Sequence, residues 1–432
     1  MKDEVRRMNP GSAMRTGGRA RRAAILVLTL WIVVVLGLIS ASMLEEVYLE
    51  LKLARFQRDD FEAMALARAG LARAVADLRN DLMMDQALGQ NYDALTDVWA
   101  RQDADKVGRD NEGVPMGHGA YWVWVDDEAS KFNLNMVNPL LLKAALYEMG
   151  VEETEVQRVA AAILDYLDPD DVAQPPGVGT EDEYYSAQTA KQSRTRWKPG
   201  QTLLYRCKND RFSSVDELLS VYGVTRSLFY GLENDEDDPR SPIERLKGRS
   251  ERARTREERD ERVGLRDIFS TYSPGPININ TADPAILRIL FRAASSDPKT
   301  PNPAVEKLLA MRRSAGKAGK TGAEKPLRDI AEVMGAAGVP MDVVARLMTV
   351  APLTVFSNQY HIWALGEVKG TKHLISASVV RSPETCDPNH LGPLFEQGLV
   401  HKRLIESFRR RHRDAREPIV QTTVRVVQWQ EL

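Results

Sequence analysis

Asp165, Asp168, Asp170 and Asp171 crowd one short stretch, and Glu181, Asp182 and Glu183 follow it after a Pro/Gly turn. Carboxylates gathered on a flexible loop can supply the roughly six to eight oxygens that Ca²⁺ takes. The spacing is not that of an EF-hand loop. The same residues also read as a solvated acidic loop in which Asp168-Pro169 ends a helix. The residues alone leave both readings open. A cation there would hold together a turn whose carboxylates otherwise repel, and no catalysis follows from it.

Other chemistry is poorly supported. Gly319-Lys320-Thr321 resembles the end of a phosphate-binding loop, but Ser314 stands where its first glycine belongs and no strand precedes it. The six histidines, at 118, 361, 373, 390, 401 and 412, show neither an HExxH pattern nor paired-ligand spacing. No GxSxG elbow occurs. The two cysteines, Cys207 and Cys386, are far apart, and pairing or separate burial are both open. The expectation is a protein that is not an enzyme.

The chain is 432 residues long, enough for two or three cored domains, and 59 basic against 61 acidic residues give it no global attraction to nucleic acid. From Ala23 to Met43 it carries no charge, matching the ~20 apolar residues that cross a bilayer as a helix. Arg15, Arg19, Arg21 and Arg22 precede this run and Glu45, Glu46 and Glu50 follow it, which orients the tail to the cytoplasm and the bulk to the outside. The helix pattern continues past the apolar run. Leu49, Leu53, Phe56, Asp60 and Met64 keep helical spacing, and Ala65, Ala69, Ala72 and Ala76 form a part-apolar stripe. One rod is expected over residues 24 to about 79, half of it for lipid.

Ala120 to Asp126 reads as a strand of aromatic and β-branched residues. Further strand-like runs are expected only near the end, at Tyr360–Leu365, Leu374–Arg381 and Val420–Trp429, the last alternating as a half-buried strand. The long stretch between is mainly helical and carries a near-repeat. Phe132-Asn133-Leu134-Asn135 with Asn138-Pro139 matches Ile277-Asn278-Ile279-Asn280 with Asp283-Pro284, and Phe212 to Leu219 matches Pro326 to Ala331. The Asn and Asp residues cap the helices that follow, with proline in the first turn.

Each half closes on a helix pair with a glycine turn, at Gly223 and at Gly335 or Gly338. These pairs look like helix-hairpin-helix or SAM-like units, so a membrane-anchored DNA receptor is the alternative function. The turns lack a Gly-hydrophobic-Gly pattern and a basic cluster, Arg226 and Arg346 apart, so packing is the favoured role. Glu233 to Arg262 is densely charged and reads as a solvated linker, and Phe408 to Arg413 as a solvated basic run.

Taken in order, these features resemble the K-type minor pseudopilin of type II (general) secretion. They are the basic leader, the apolar helix, Asn133-Leu134-Asn135, the stretch from Ala162 to Asp171, Tyr184-Tyr185, Ile279-Asn280-Thr281-Ala282 and the closing β-run. The resemblance implies a prepilin-peptidase cut between Ala23 and Ala24, with alanine where the family usually has glycine. It implies an assembly role for Leu28, which stands where most pilins carry a glutamate. It also implies calcium in the helical insertion, I- and J-type minor pseudopilins and the major pseudopilin as partners, and the bacterial inner membrane as location.

The expected fold is α+β: a leader to residue 23, the long pilin-like helix over 24–80, and a loop and first strand over 81–126. The helical insertion then covers 127–350, with its charged linker at about 233–262, and closing strands fill 351–432. No nucleic acid or small-molecule substrate is expected. The expected work is capping or initiating the pseudopilus tip for protein export.

Overall fold

No proline occurs between Pro10 and Pro115, and alanine, leucine and charged residues dominate after the apolar run. The computed structural model describes residues 16–100, 113–174, 185, 207–231, 263–295, 297–299, 302–314, 326–386 and 419–431. Its first element, α1 (Thr16–Leu88), is a single helix of 73 residues. The helix thus runs past residue 80. It stops where Gly89 takes a left-handed φ of +68° and the Gln90 N–H closes back on the Asp85 carbonyl at 2.8 Å. Inside the apolar run, Thr29 and Ser42 give their hydroxyl protons to the Leu26 and Ile39 carbonyls, so neither needs water.

The strands β1 (Val114–Met116), β2 (Gly119–Asp127), β7 (Gln359–Val368), β8 (Thr371–Cys386) and β9 (Ile419–Glu431) form one antiparallel sheet in the order β1-β2-β7-β8-β9. Lys369 and Gly370, both at positive φ, make the two-residue turn that aligns Val368 with Thr371. Tyr121, Val123, Tyr360, Ile362, Ala364, Ile375, Ala377 and Val379 share one face and bury the far half of α1.

The buried ridge of α1 is Ala63, Ala67, Leu71, Ala74 and Leu78, not the expected Ala65, Ala69, Ala72 and Ala76, of which Ala65 and Ala72 are exposed. Close approach chooses the ridge. A Cβ on Gly366 would lie 1.9 Å from the Ala63 carbonyl oxygen, so the helix backbone rests on bare strand there. Leu71 and Leu78 then contribute about 1.5–3 kcal/mol each by leaving water.

In β9 the half-buried expectation fails: Val426, Val427 and Gln428 are all exposed on this edge strand, where the register with β8 shifts between Ser378 and Val379.

The insertion leaves the sheet after Asp127 and returns before Gln359, and Asp127 pairs with Tyr360, so the two junctions are neighbours. Its two halves repeat the same bonds. Asn133 Oδ1 accepts the Asn135 N–H, and Asn278 Oδ1 accepts the Asn280 N–H. Asn135 then clamps Phe212 through both its N–H and its carbonyl, and Asn280 clamps Leu327 in the same way. Asn138 and Asp283 cap α2 (Pro139–Glu148) and α6 (Pro284–Ala293), each with proline in the first turn.

The first half adds α3 (Glu153–Leu167), a 3₁₀ turn at Val215–Ser220 and α4 (Arg226–Tyr230), with the short α5 (Leu265–Ile268) leading into the second. The second half adds α7 (Ala304–Ser314), α8 (Ile330–Ala337) and α9 (Met341–Val350). Ser214 and Asp329, each two residues past its clamp, cap the next element.

Strands inside the insertion were not expected, yet β3 (Phe132–Asn133) pairs in parallel with β4 (Phe269–Ser270), and β5 (Ile277–Asn278) with β6 (Leu353–Thr354). Two-residue ladders are too short to leave a period in the sequence. One apolar core, including Leu142, Leu146, Ile163, Phe229, Leu287 and Phe291, spans both halves.

Candidate functional site

Three regions carry the residues of interest. The first is the near half of α1. Every described side chain from Ala24 to Arg58 is exposed, and the stretch is long and apolar enough to cross a membrane. Leu28 is 61% exposed and Ala24 is also open, while the side chain of Ala23 lies outside the described residues. Such an apolar surface is stable only in lipid or against other helices.

The second region is the acidic turn after α3. Asp165 is buried, and its Oδ1 accepts the Gln174 N–H at 3.1 Å. Asp170 and Asp171 are exposed, and Asn209, itself at a positive φ of 48°, donates to the Asp170 carbonyl at 2.7 Å and to Asp171 Oδ1 at 2.8 Å. Burial, then the charges of Asp170 and Asp165, push the Asp168 carboxyl upward. Asp168 Oδ1 and Asn209 Oδ1 are both buried without a hydrogen-bond partner among the described residues.

Acceptor oxygens left without donors fit a cation. The described carboxylates of this turn are not the tightest group, however. Glu181, Asp182 and Glu183 lie outside the described residues, as do the 233–262 stretch, Gly319-Lys320-Thr321 and the run from Phe408. Cys207 gives its thiol proton toward the Asp165 carbonyl at 3.7 Å, and the Cys386 side chain is outside the described residues.

The third region escaped the sequence reading. Asp81 and Asp85 extend the buried ridge of α1, and Asp93 and Asp97 come from the loop after it. Asp127 ends β2 and Arg381 continues the inward parity of Ile375, Ala377 and Val379 on β8. Arg381, 1% exposed, donates to Asp81 Oδ2 at 3.1 Å, to Asp93 Oδ1 and to the Ser357 carbonyl at 2.9 Å. Its guanidinium also lies 5.2 Å from the Tyr360 ring centroid. Asp93 further accepts the Ser357 N–H at 2.7 Å and the Tyr360 hydroxyl at 3.2 Å.

Insertion residues close this node. Asn278 donates to the Asp93 carbonyl and to Ser357 Oγ, and Thr281 donates to Asp127 Oδ2. Burial, then the charges of Asp85 and Asp97, push the Asp81 carboxyl up to about 8 despite Arg381. Burial, then Asp93 and Asp97, push Asp85 up to about 7. Burial also raises Asp127 to about 7 against its hydroxyl donors. These groups stand clear of the uncharged run, since Asp81 lies about 57 Å along the helix from Met43 at the usual rise per residue.

One signal was available for this node. Aspartates extended the buried stripe of α1 while an arginine held a core position on a strand, and opposite charges on two facing core stripes pair. The hairpin arginines, by contrast, are used locally: Arg226 lies 6.0 Å from the Tyr230 ring centroid, and Arg346 pairs with Asp342. Gly223 turns against Val159, which a Cβ there would approach to 2.8 Å.

Residues 130–234 match the family model for type II secretion system protein K. The chain is 25% identical over 130 residues to the type II secretion system protein K of Pectobacterium carotovorum subsp. carotovorum, covering 27% of this chain and 35% of that relative. It is also similar to a chain in the crystal structure of the GspK-GspI-GspJ complex from the enterotoxigenic Escherichia coli type 2 secretion system. There the TM-score is 0.50 and the identity 16%, over 88% of this chain and 99% of that one, so the fold is shared. Residues 130–234 thus carry a likeness to type II secretion system protein K, and the fold is shared with a chain of that secretion complex.

Proposed function

We propose that this protein is a non-enzymatic minor pseudopilin that sits at the tip of the type II secretion pseudopilus and caps or initiates it. One observation carries the reading: α1 is exposed and apolar at one end, locked under a sheet at the other, and the insertion leaves that sheet at its far end. Gly366 marks the end near Ala63, and the junction pair Asp127 and Tyr360 sits with the Asp81–Arg381 node. The exposed half of α1 packs into lipid and then among sister helices. Leu28 offers no carboxylate to the amine of a subunit above, and the bulk of the insertion blocks addition there.

The similar complex joins its K protein to I and J proteins. That likeness supports partners of those two types for this chain, and the major pseudopilin is proposed with them as the filament they join. The location is the bacterial inner membrane in a single pass, the arginines before Ala23 holding the N-terminus in the cytoplasm and the bulk in the periplasm. Prepilin peptidase cuts between Ala23 and Ala24. The turn formed by Asp165, Asp168, Asp170, Asp171 and Asn209 would hold Ca²⁺, whose bound charge would relieve the repulsion there and stiffen the turn. The helix pairs at Gly223 and Gly338, drawn as helix-hairpin-helix elements, pack within the insertion.

The full chain, tagged and purified from membranes, should bring down I- and J-type subunits with or without nuclease and begin at Ala24. Recovery without any pilin-like subunit, or salt-sensitive capture by DNA, would sink the proposal.

A further inference from the structure

Asp81, Asp93 and Asp97 form the one group among the described residues in which three side chains of His, Cys, Asp or Glu bring ligand atoms within 4.8 Å of one another. They come from two elements that fold against each other. A fourth carboxylate joins them. Asp85 is 7% exposed, its Oδ2 has no hydrogen-bond partner among the described residues, and its charge bears on Asp81, Asp93 and Asp97. A buried acceptor with no donor, facing other acceptors, is a costly arrangement unless a proton or a cation completes it.

Arg381 neutralises part of the group through Asp81 and Asp93, and an excess of negative charge remains on the Asp85–Asp97 side. Every ligand is a hard oxygen, which suits Ca²⁺ and excludes soft thiolate-seeking metals.

We infer that Asp81, Asp85, Asp93 and Asp97 form a divalent-cation site that fastens the end of α1 to the loop beneath the insertion. Asp93 is also the residue whose backbone carbonyl accepts from Asn278, and its N–H donates to the Val355 carbonyl at 2.7 Å. A cation drawing Asp93 and Asp97 onto Asp81 and Asp85 therefore sets the seat of the insertion on the rod. The site does not depend on the tip reading and is separate from the turn at Asp165–Asp171.

Binding exchanges charge. Carboxyls ligate only when deprotonated, so Ca²⁺ competes with protons for the four side chains and its binding weakens on acidification. Groups facing these carboxyls are Arg381, Tyr360, Ser357 and Asp127, and Arg381 is the cation among them.

The test uses the full chain in detergent micelles, with Asp168→Asn and Asp171→Asn introduced to remove the turn. Titration calorimetry with Ca²⁺ alone reads stoichiometry and affinity. One bound ion is expected, and adding Asp85→Asn with Asp97→Asn should weaken it at least about tenfold. Those substitutions spare Asp81 and Asp93, the partners of Arg381. If the node variant fails to fold, Asp97→Asn alone, at a half-buried loop position, is titrated in its place and should also weaken binding. No Ca²⁺ bound by the parent, or unchanged affinity in the variant, overturns the inference.

Discussion

Asp168, Asp170 and Asp171 follow one another at the end of a single helix, and the last two reach solvent. Asp81, Asp93 and Asp97 arrive from the rod and from the loop after it and meet beneath the sheet. Water screens the first group, and an adjacent asparagine shares its load. The second has no such relief and depends on Arg381, on Tyr360 and on protons held well above the usual carboxylate range. The same residue type is local decoration in one place and a tie between domains in the other. Burial makes the difference, since an unpaired charge is expensive only where solvent cannot reach it.

Arg381→Leu breaks this comparison most directly. It leaves Asp81 and Asp93 buried without their guanidinium and should lower stability by about 3–5 kcal/mol. Denaturant unfolding of the full chain in detergent, followed by tryptophan fluorescence, reads this through the buried Trp99 stacked edge-on against Tyr360. An unchanged midpoint means the node ties nothing together.

The pH dependence comes next. Asp81 near 8, with Asp85 and Asp127 near 7, all titrate higher in the folded chain than the usual carboxylate at about 4. Between roughly pH 4 and 8 the folded chain therefore binds more protons than the unfolded chain, and stability falls as pH rises. The slope is about 1.4 kcal/mol per pH unit for each proton so retained. Melts of the metal-free protein from pH 5 to 8 should show this decline, and Asp81→Asn should flatten it. Stability rising over that window contradicts the assignment.

The rod and the insertion repeat were legible in the sequence because both are local. An uncharged run followed by proline-free helical spacing leaves few options for the first hundred residues. The paired Asn-x-Asn and Asx-Pro signatures marked clamps and caps that recur bond for bond. The expected Ala65, Ala69 and Ala76 stand two positions from the buried Ala63, Ala67 and Ala74, because alanines lie all around that helix and the bare backbone at Gly366 selects Ala63 and Ala67. The node stayed hidden because its members are separated by up to 300 residues in sequence, as Asp81 and Arg381 are. The two-residue strands β3 to β6 are held by side-chain amides and tertiary packing, which propensity does not encode.

The two clamps sharpen the comparison on a smaller scale. Asn280 is buried and Asn135 is half-buried, although each makes the same pair of bonds. Asn280→Ala should cost roughly 1–3 kcal/mol, because the Leu327 N–H and carbonyl stay dry and unpaired. Asn135→Ala should cost less, since the half-buried Asn135 side chain would leave a space open to water beside the otherwise buried Phe212. Equal losses in parallel denaturant titrations would mean that solvent access does not separate the two halves.

The smallest effect belongs to the turn. Asp171→Asn keeps an oxygen for the Asn209 amide, and the residue is exposed, so stability in metal-free buffer should move by less than about 0.5 kcal/mol. In excess Ca²⁺ the two proteins should separate. A bound cation stabilises the fold by RT times the logarithm of one plus its concentration over its dissociation constant, and losing a ligand charge raises that constant. The comparison thus requires a variant that is silent without the ion and visible with it. If Asp171→Asn tracks its parent under both conditions, the turn is a solvated loop and the node is left as the place where this chain's carboxylates gather with consequence.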